Sequence, residues 1–104
     1  MTSEEFKALR GKANGIIHAI EAMTARQKDE IPQAPFCEDY NRLRKMVHAA
    51  IPQQEKYFPP VVTIQPGAQP GVKIPDARYG EILSYSLQLR DLLVNNRPIG
   101  AEWA

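Results

Sequence analysis

Pro52-Gln53-Gln54-Glu55-Lys56-Tyr57-Phe58-Pro59-Pro60-Val61-Val62-Thr63-Ile64-Gln65-Pro66-Gly67-Ala68-Gln69-Pro70-Gly71-Val72-Lys73-Ile74-Pro75 is the stretch that decides how this chain folds. Six of the nine prolines of the 104-residue chain lie in it. A proline inside a helix removes a backbone donor and clashes with the carbonyl four residues back, so residues 52–75 are predicted to be non-helical. Val61-Val62-Thr63-Ile64 has strand composition, and Val72-Lys73-Ile74 is a shorter candidate. Pro66-Gly67 and Pro70-Gly71 between them each favour a turn. The expectation is a proline-rich arm that closes as a small β-hairpin. Two short strands are marginal in water, so the arm must pack on helices or on another subunit.

Two helices are expected upstream. Thr2 and Glu5 stand at capping-box spacing, which starts the first helix at Ser3. Phe6, Leu9, Ala13, Ile16, Ile20 and Met23 then recur at steps of three and four, with Ile17 on the flank. The stripe keeps its phase across Asn14-Gly15, which predicts one continuous helix over 3–30, ended by Pro32 and Pro35. The second helix is expected over 35–51, with Pro35 in its first turn and Pro52 as its stop. Its apolar face is Phe36, Tyr40, Leu43, Val47, Ala50 and Ile51. Glu38 and Asp39 near its start, and Arg44, Lys45 and His48 near its end, complement the helix dipole. Downstream of the arm, Asp76 is the expected cap of a third helix over 76–96, followed by a tail, 97–104, that carries the only tryptophan, Trp103. The fold class is a mainly α, three-helix domain with the arm between its second and third helices, and 1–104 form a single domain.

Composition narrows the function. Such a length buries ~60–65% of the unfolded surface. Hydrophobic residues make up 43% and charged residues 24%, as in an ordinary globular domain. A net charge of +1 argues against nucleic-acid binding by bulk charge. No apolar run approaches the ~18–20 residues of a membrane helix, and the polar, acidic N-terminus is unlike a signal peptide. A single cysteine, Cys37, excludes an internal disulfide and fits a reducing cytoplasm. No catalysis and no cofactor are expected, because no dinucleotide, phosphate-loop, zinc-protease or nucleophile-elbow motif is present. His18 and Glu21 stand in the wrong order for a di-iron helix motif. Cys37 and His48 on one helix are ~16 Å apart, too far for a nucleophile–base pair. Within the cluster Arg42, Leu43, Arg44 and Lys45, Arg42 points one way and Arg44 the other, so the basic residues are split across the polar face and do not form one nucleic-acid patch.

Two features point to interfaces. With Phe6 at 0°, Ala8, Gly11, Gly15, Ala19 and Ala22 fall between about 140° and 220°. Such a strip lets another backbone approach, either the third helix or a second copy. The third helix is apolar on two flanks: Leu83, Leu87 and Val94 form one, and Tyr85, Ile82, Leu89, Leu92 and Leu93 the other. Self-association through this helix, with Leu89, Leu93 and Trp103 at the interface, is the expectation. Tyr79, Ser86, Arg90 and Arg97 run between the flanks. A buried arginine requires an acceptor, which is either an internal carboxylate such as Asp39 or Glu55, or a ligand or partner carboxylate. The other reading of Arg90 is a side chain that snorkels to solvent. The sequence therefore favours a non-enzymatic, oligomeric protein-binding module: an adaptor, inhibitor or assembly subunit. The other reading is an oligomer that senses or sequesters a small anionic ligand such as a nucleotide, held by Arg90, Arg97, Tyr79, Ser86 and Lys12.

Overall fold

A computed structural model describes residues 1–100 and is mainly helical. Helices α1 (Ser3–Glu21), α2 (Ala25–Lys28) and α3 (Ala34–Ala50) are followed by a 3-10 helix (Pro52–Tyr57). Strands β1 (Ile64–Pro66) and β2 (Lys73–Pro75) then lead to α4 (Tyr79–Asn95). The three-helix plan with a hairpin arm is therefore present, with changed boundaries.

The capping box at the start of α1 forms in both directions: Glu5 N donates to Thr2 Oγ1 at 3.1 Å and Thr2 N donates to Glu5 Oε1 at 3.2 Å. The helix runs unbroken through Asn14-Gly15, but it ends at Glu21 and not near residue 30. Thr24 and Gln27 make a second capping box, with bonds of 3.2 and 2.8 Å, that starts the single turn of α2. A capped turn satisfies amide groups that a longer α1 would otherwise carry. Within α1 the buried set is Phe6, Leu9, Ala13, Ile17 and Ile20. Ile17 thus takes the core place expected of Ile16, which is half-buried.

α4 makes its most extensive contact with α1, and α3 packs against both. Ile82, Leu89 and Leu93 of α4 join Cys37, Tyr40, Leu43 and Val47 of α3 in one core with the α1 set. Leu89 and Leu93 are fully buried in a single chain, which corrects their expected place at an interface between copies. Of the other apolar flank of α4, Leu83 and Val94 pack at the border of the same core, as does Leu92, and Leu87 is half-buried. No α4 residue is among the large apolar side chains left exposed in the described residues. The breadth of its apolar surface reflects two neighbouring helices within the chain. Trp103 lies outside the described residues.

The proline-rich segment departs from expectation at its start. Pro52 opens a 3-10 helix, a position where its missing N–H has no partner to lose. Gln54 Nε2 ties this helix to the end of α4 through Asn96 Oδ1 at 3.2 Å. The strands pair antiparallel in the register Ile64↔Pro75, Gln65↔Ile74 and Pro66↔Lys73, later in the chain than the Val61–Ile64 run suggested. Asp76 N donates to Thr63 O at 2.9 Å and Gly67 N to Val72 O at 2.6 Å. The antiparallel alternation then makes Pro66 and Pro75 members of non-hydrogen-bonded pairs. Their missing N–H groups cost the ladder nothing and remove donors from both outer edges.

Only one Pro-Gly step turns. Gln69-Pro70-Gly71-Val72 closes with Val72 N donating to Gln69 O at 3.2 Å, and Gly71 takes φ +81°, the type II pattern. Gly67 serves packing: a Cβ there would meet Val72 Cγ1 at 2.6 Å. Asp76 does not cap α4. Its Oδ1 accepts from Thr63 N at 2.9 Å and locks the hairpin base, while Glu81 Oε1 accepts from Arg78 N at 3.0 Å at the helix start. That start falls at Tyr79, three residues after the expected position.

The extended run 59–62 is held on α3 by side chains that bond its backbone. Arg44 Nε donates to Pro59 O at 2.7 Å, and Tyr40 Oη donates to Pro60 O at 2.8 Å. Asn41 bonds Val62 twice, donating to its carbonyl at 2.8 Å and accepting from its N–H at 2.9 Å. Asn41→Leu keeps the volume and removes both of the last bonds. Its expected cost is about 1–3 kcal/mol in urea unfolding, and a change within error would show that the run is held by packing alone.

Candidate functional site

Two surfaces among the described residues bear on function. The first is the junction of α3 with the arm. Asn41, Arg44, Lys45 and His48 follow helical spacing and share one face of α3. Together with Glu55 and Val61 they line an open cleft of about 410 Å³. The Arg44 guanidinium lies 5.5 Å over the Phe58 ring, and His48 meets the same ring edge-on at 5.3 Å. His48 Nε2 is 3.6 Å from Glu55 Oε1. Beyond the cleft, the two faces of the hairpin differ. Ile64, Pro66, Lys73 and Pro75 share the face turned to α3, where Lys73 Nζ is 4.0 Å from Glu38 Oε1. Gln65, Val72 and Ile74 share the other face and are exposed.

The second surface is a groove of about 390 Å³ between α1 and α3, lined by Lys12, Gly15, Ile16, Asp39, Arg42, Leu43 and Met46. It continues past Met46 to Ala8, Leu9, Ala49 and Ala50. Ala8, Gly11, Gly15, Ala19 and Ala22 are all exposed. A Cβ added at Gly11 or Gly15 would meet nothing within 4 Å. The strip is therefore not a contact with α4, which packs on the opposite side of α1.

The structure does not bring the five expected anion ligands together. Lys12 opens into the α1–α3 groove. Tyr79 and Arg97 stand at opposite ends of α4, about 27 Å apart along its axis. Tyr79 packs edge-on against Phe36 at 5.1 Å, and Arg97 Nη1 donates to Val94 O at 2.8 Å, closing the end of its own helix. Ser86 is fully buried, and its hydroxyl has no hydrogen-bond partner among the described residues. Arg90 does have an internal acceptor, but it is the Asn14 amide oxygen at 2.9 Å and not Asp39 or Glu55. Asp39 pairs with Arg42 at 2.7 Å on the surface, and Glu55 faces His48. The expected ligand set is thus dispersed, and the cationic cleft is built from other residues. Part of its signal was in the sequence, since 41, 44, 45 and 48 share helical spacing, but the covering arm was not.

Cys37 is buried in the first turn of α3. Burial first, and then the Asp76 and Glu38 carboxylates, push its thiol up from 9.0 to about 11. A thiol held protonated at neutral pH is a poor nucleophile. Burial also pushes the Tyr40 hydroxyl up, opposed by Arg44 and aided by Tyr85. No group of three or more His, Cys, Asp and Glu that could hold a metal ion occurs among the described residues. None of the described helices is long and apolar enough to cross a membrane. Comparison with protein-family models, with curated proteins and with solved structures finds no match for this chain.

Two measurements check this description. The folded state holds the Cys37 proton more tightly than the unfolded chain does. Its contribution to stability is therefore complete below pH 9 and is lost as pH rises toward about 11. Melting temperature should fall across that window, and Cys37→Ala should flatten the fall. Arg90→Met should cost roughly 1 kcal/mol, because it leaves a neutral, half-buried amide. A loss of several kcal/mol would indicate an unpaired carboxylate instead.

Proposed function

We propose that this chain is a non-enzymatic, self-associating protein-binding module whose contact surface is the exposed side of its hairpin arm. The carrying observation is where apolar surface remains. Among the described residues, seven large apolar side chains are exposed. Four of them, Tyr57 (58% exposed), Val61 (52%), Val72 (43%) and Ile74 (47%), lie in the arm, whereas Ile31, Met46 and Ile99 are scattered elsewhere and the apolar flanks of α4 are covered. The arm is also held in one shape, by three α3 side chains on 59–62, by Asp76 at the hairpin base and by the Pro70-Gly71 turn. An ordered surface loses little entropy on binding. Covering the exposed part of each of these side chains contributes roughly 1 kcal/mol, so a contact of useful strength needs several of them together. The prolines on both strand edges disfavour strand addition, which leaves the face with Val72 and Ile74 as the docking surface.

The module acts as an adaptor, inhibitor or assembly subunit and works without a cofactor. Its single thiol, buried and unreactive, is compatible with a cytoplasmic setting. Sedimentation at high micromolar concentration tests the reading with the double variant Val72→Thr, Ile74→Thr, which keeps β-branched side chains. The intact chain should associate, and the variant should associate at least about tenfold more weakly with an unchanged melting temperature. A single monomer mass for the intact chain would overturn self-association. Unchanged association of the variant would overturn the arm as its surface.

A further inference from the structure

We propose that the cleft between α3 and the arm binds a phosphoryl group, seated on the terminal guanidinium nitrogens of Arg44 with Lys45 and His48 beside it. This site shares Val61 with the arm's exposed apolar surface but is separate from the hairpin face that carries Val72 and Ile74 and does not depend on it. Arg44 is fixed before any ligand arrives: its Nε is committed to Pro59 O at 2.7 Å, and its guanidinium plane is supported by the Phe58 ring at 5.5 Å. Its two terminal nitrogens make no hydrogen bond among the described residues. A guanidinium held in this way presents a fork matched to two oxygens of a tetrahedral anion, with little rotamer freedom left to lose.

Lys45, one position on, adds a flexible charge on the same face of α3, and His48 lines the same cleft edge-on to Phe58. A volume of about 410 Å³ takes a phosphoryl group and a small organic substituent, for which the exposed Val61 supplies an apolar wall. Two features oppose an anion here. The C-terminal end of α3 carries the negative end of the helix dipole, but this effect is confined to the last turn, which holds His48 and not Arg44 or Lys45. Glu55 also faces the cleft, but its side chain is 77% exposed and swings into solvent at little cost. Two permanent positive charges against one mobile negative charge leave the site favourable to a dianion.

Inorganic phosphate, phenyl phosphate and a phosphoserine peptide, each titrated into the isotope-labelled full chain at constant ionic strength, form the test. Chloride and the unphosphorylated peptide serve as controls. Saturable shifts confined to Arg44, Lys45, His48 and Phe58 are expected with phosphate and phenyl phosphate. The peptide arm tells whether the phosphoryl group is that of a small molecule or of a modified protein. Glu55→Gln removes the competing carboxylate without touching the arm's anchors, and should tighten phosphate binding by about fivefold. Lys45→Gln should weaken it by a similar factor. Absence of saturation, shifts spread over all basic residues, or an affinity indifferent to Glu55→Gln and Lys45→Gln would each overturn the proposal.

Discussion

The rest of the structure depends on one set of hydrogen bonds, those by which Arg44, Tyr40 and Asn41 bond the backbone of residues 59, 60 and 62. Prolines at 59 and 60 remove two backbone donors and bar a helix, so the carbonyls of this run take donors from outside it. Carbonyls left unpaired there would offset much of what the burial of Val62 contributes. Three side chains on one stripe of α3 solve this by acting as a second strand for the run. Because the run is fixed, Val62 reaches the core, and the hairpin that follows starts from a defined point.

This anchoring explains how a chain rich in proline places ordered apolar surface outside its core. Proline in the strands protects both edges while leaving the hydrogen-bonded positions intact, and Gly67 lets Val72 lie flat across the hairpin. The bond from Arg44 to Pro59 O also sets its guanidinium against Phe58. The cationic cleft and the rigid arm are thus two consequences of one contact, with α3 contributing to each through different side chains.

Several local features were legible because they rest on spacing along one helix or turn. The Thr2–Glu5 box, the continuity of α1 across Gly15, the start of α3 near Pro35 and the turn at Pro70-Gly71 all follow from neighbouring residues. The Thr24–Gln27 box carries the same signal, and it takes precedence over the extension of the apolar stripe to Met23. Ile17 and Ile16 differ by only about 100° on the helix. The choice between them needed the direction from which α4 approaches. Asp76 has the chemistry of a helix cap, but Thr63 competes for it, and that competitor is thirteen residues away.

By itself the sequence determined that this chain has three long helices and a proline-interrupted arm, because helical period and proline sterics act over a few residues. It also required an acceptor for Arg90, since a charge between apolar flanks cannot go unpaired. Tertiary structure alone decided that the acceptor is Asn14, seventy-six positions away. Tertiary structure likewise enclosed Leu89 and Leu93 within one chain, sealed Ser86 and dispersed Tyr79, Arg97 and Lys12. The physical reason is the same in each case. A residue's type states what it must bury or bond, while the identity of its partner depends on which surfaces the packed helices bring together.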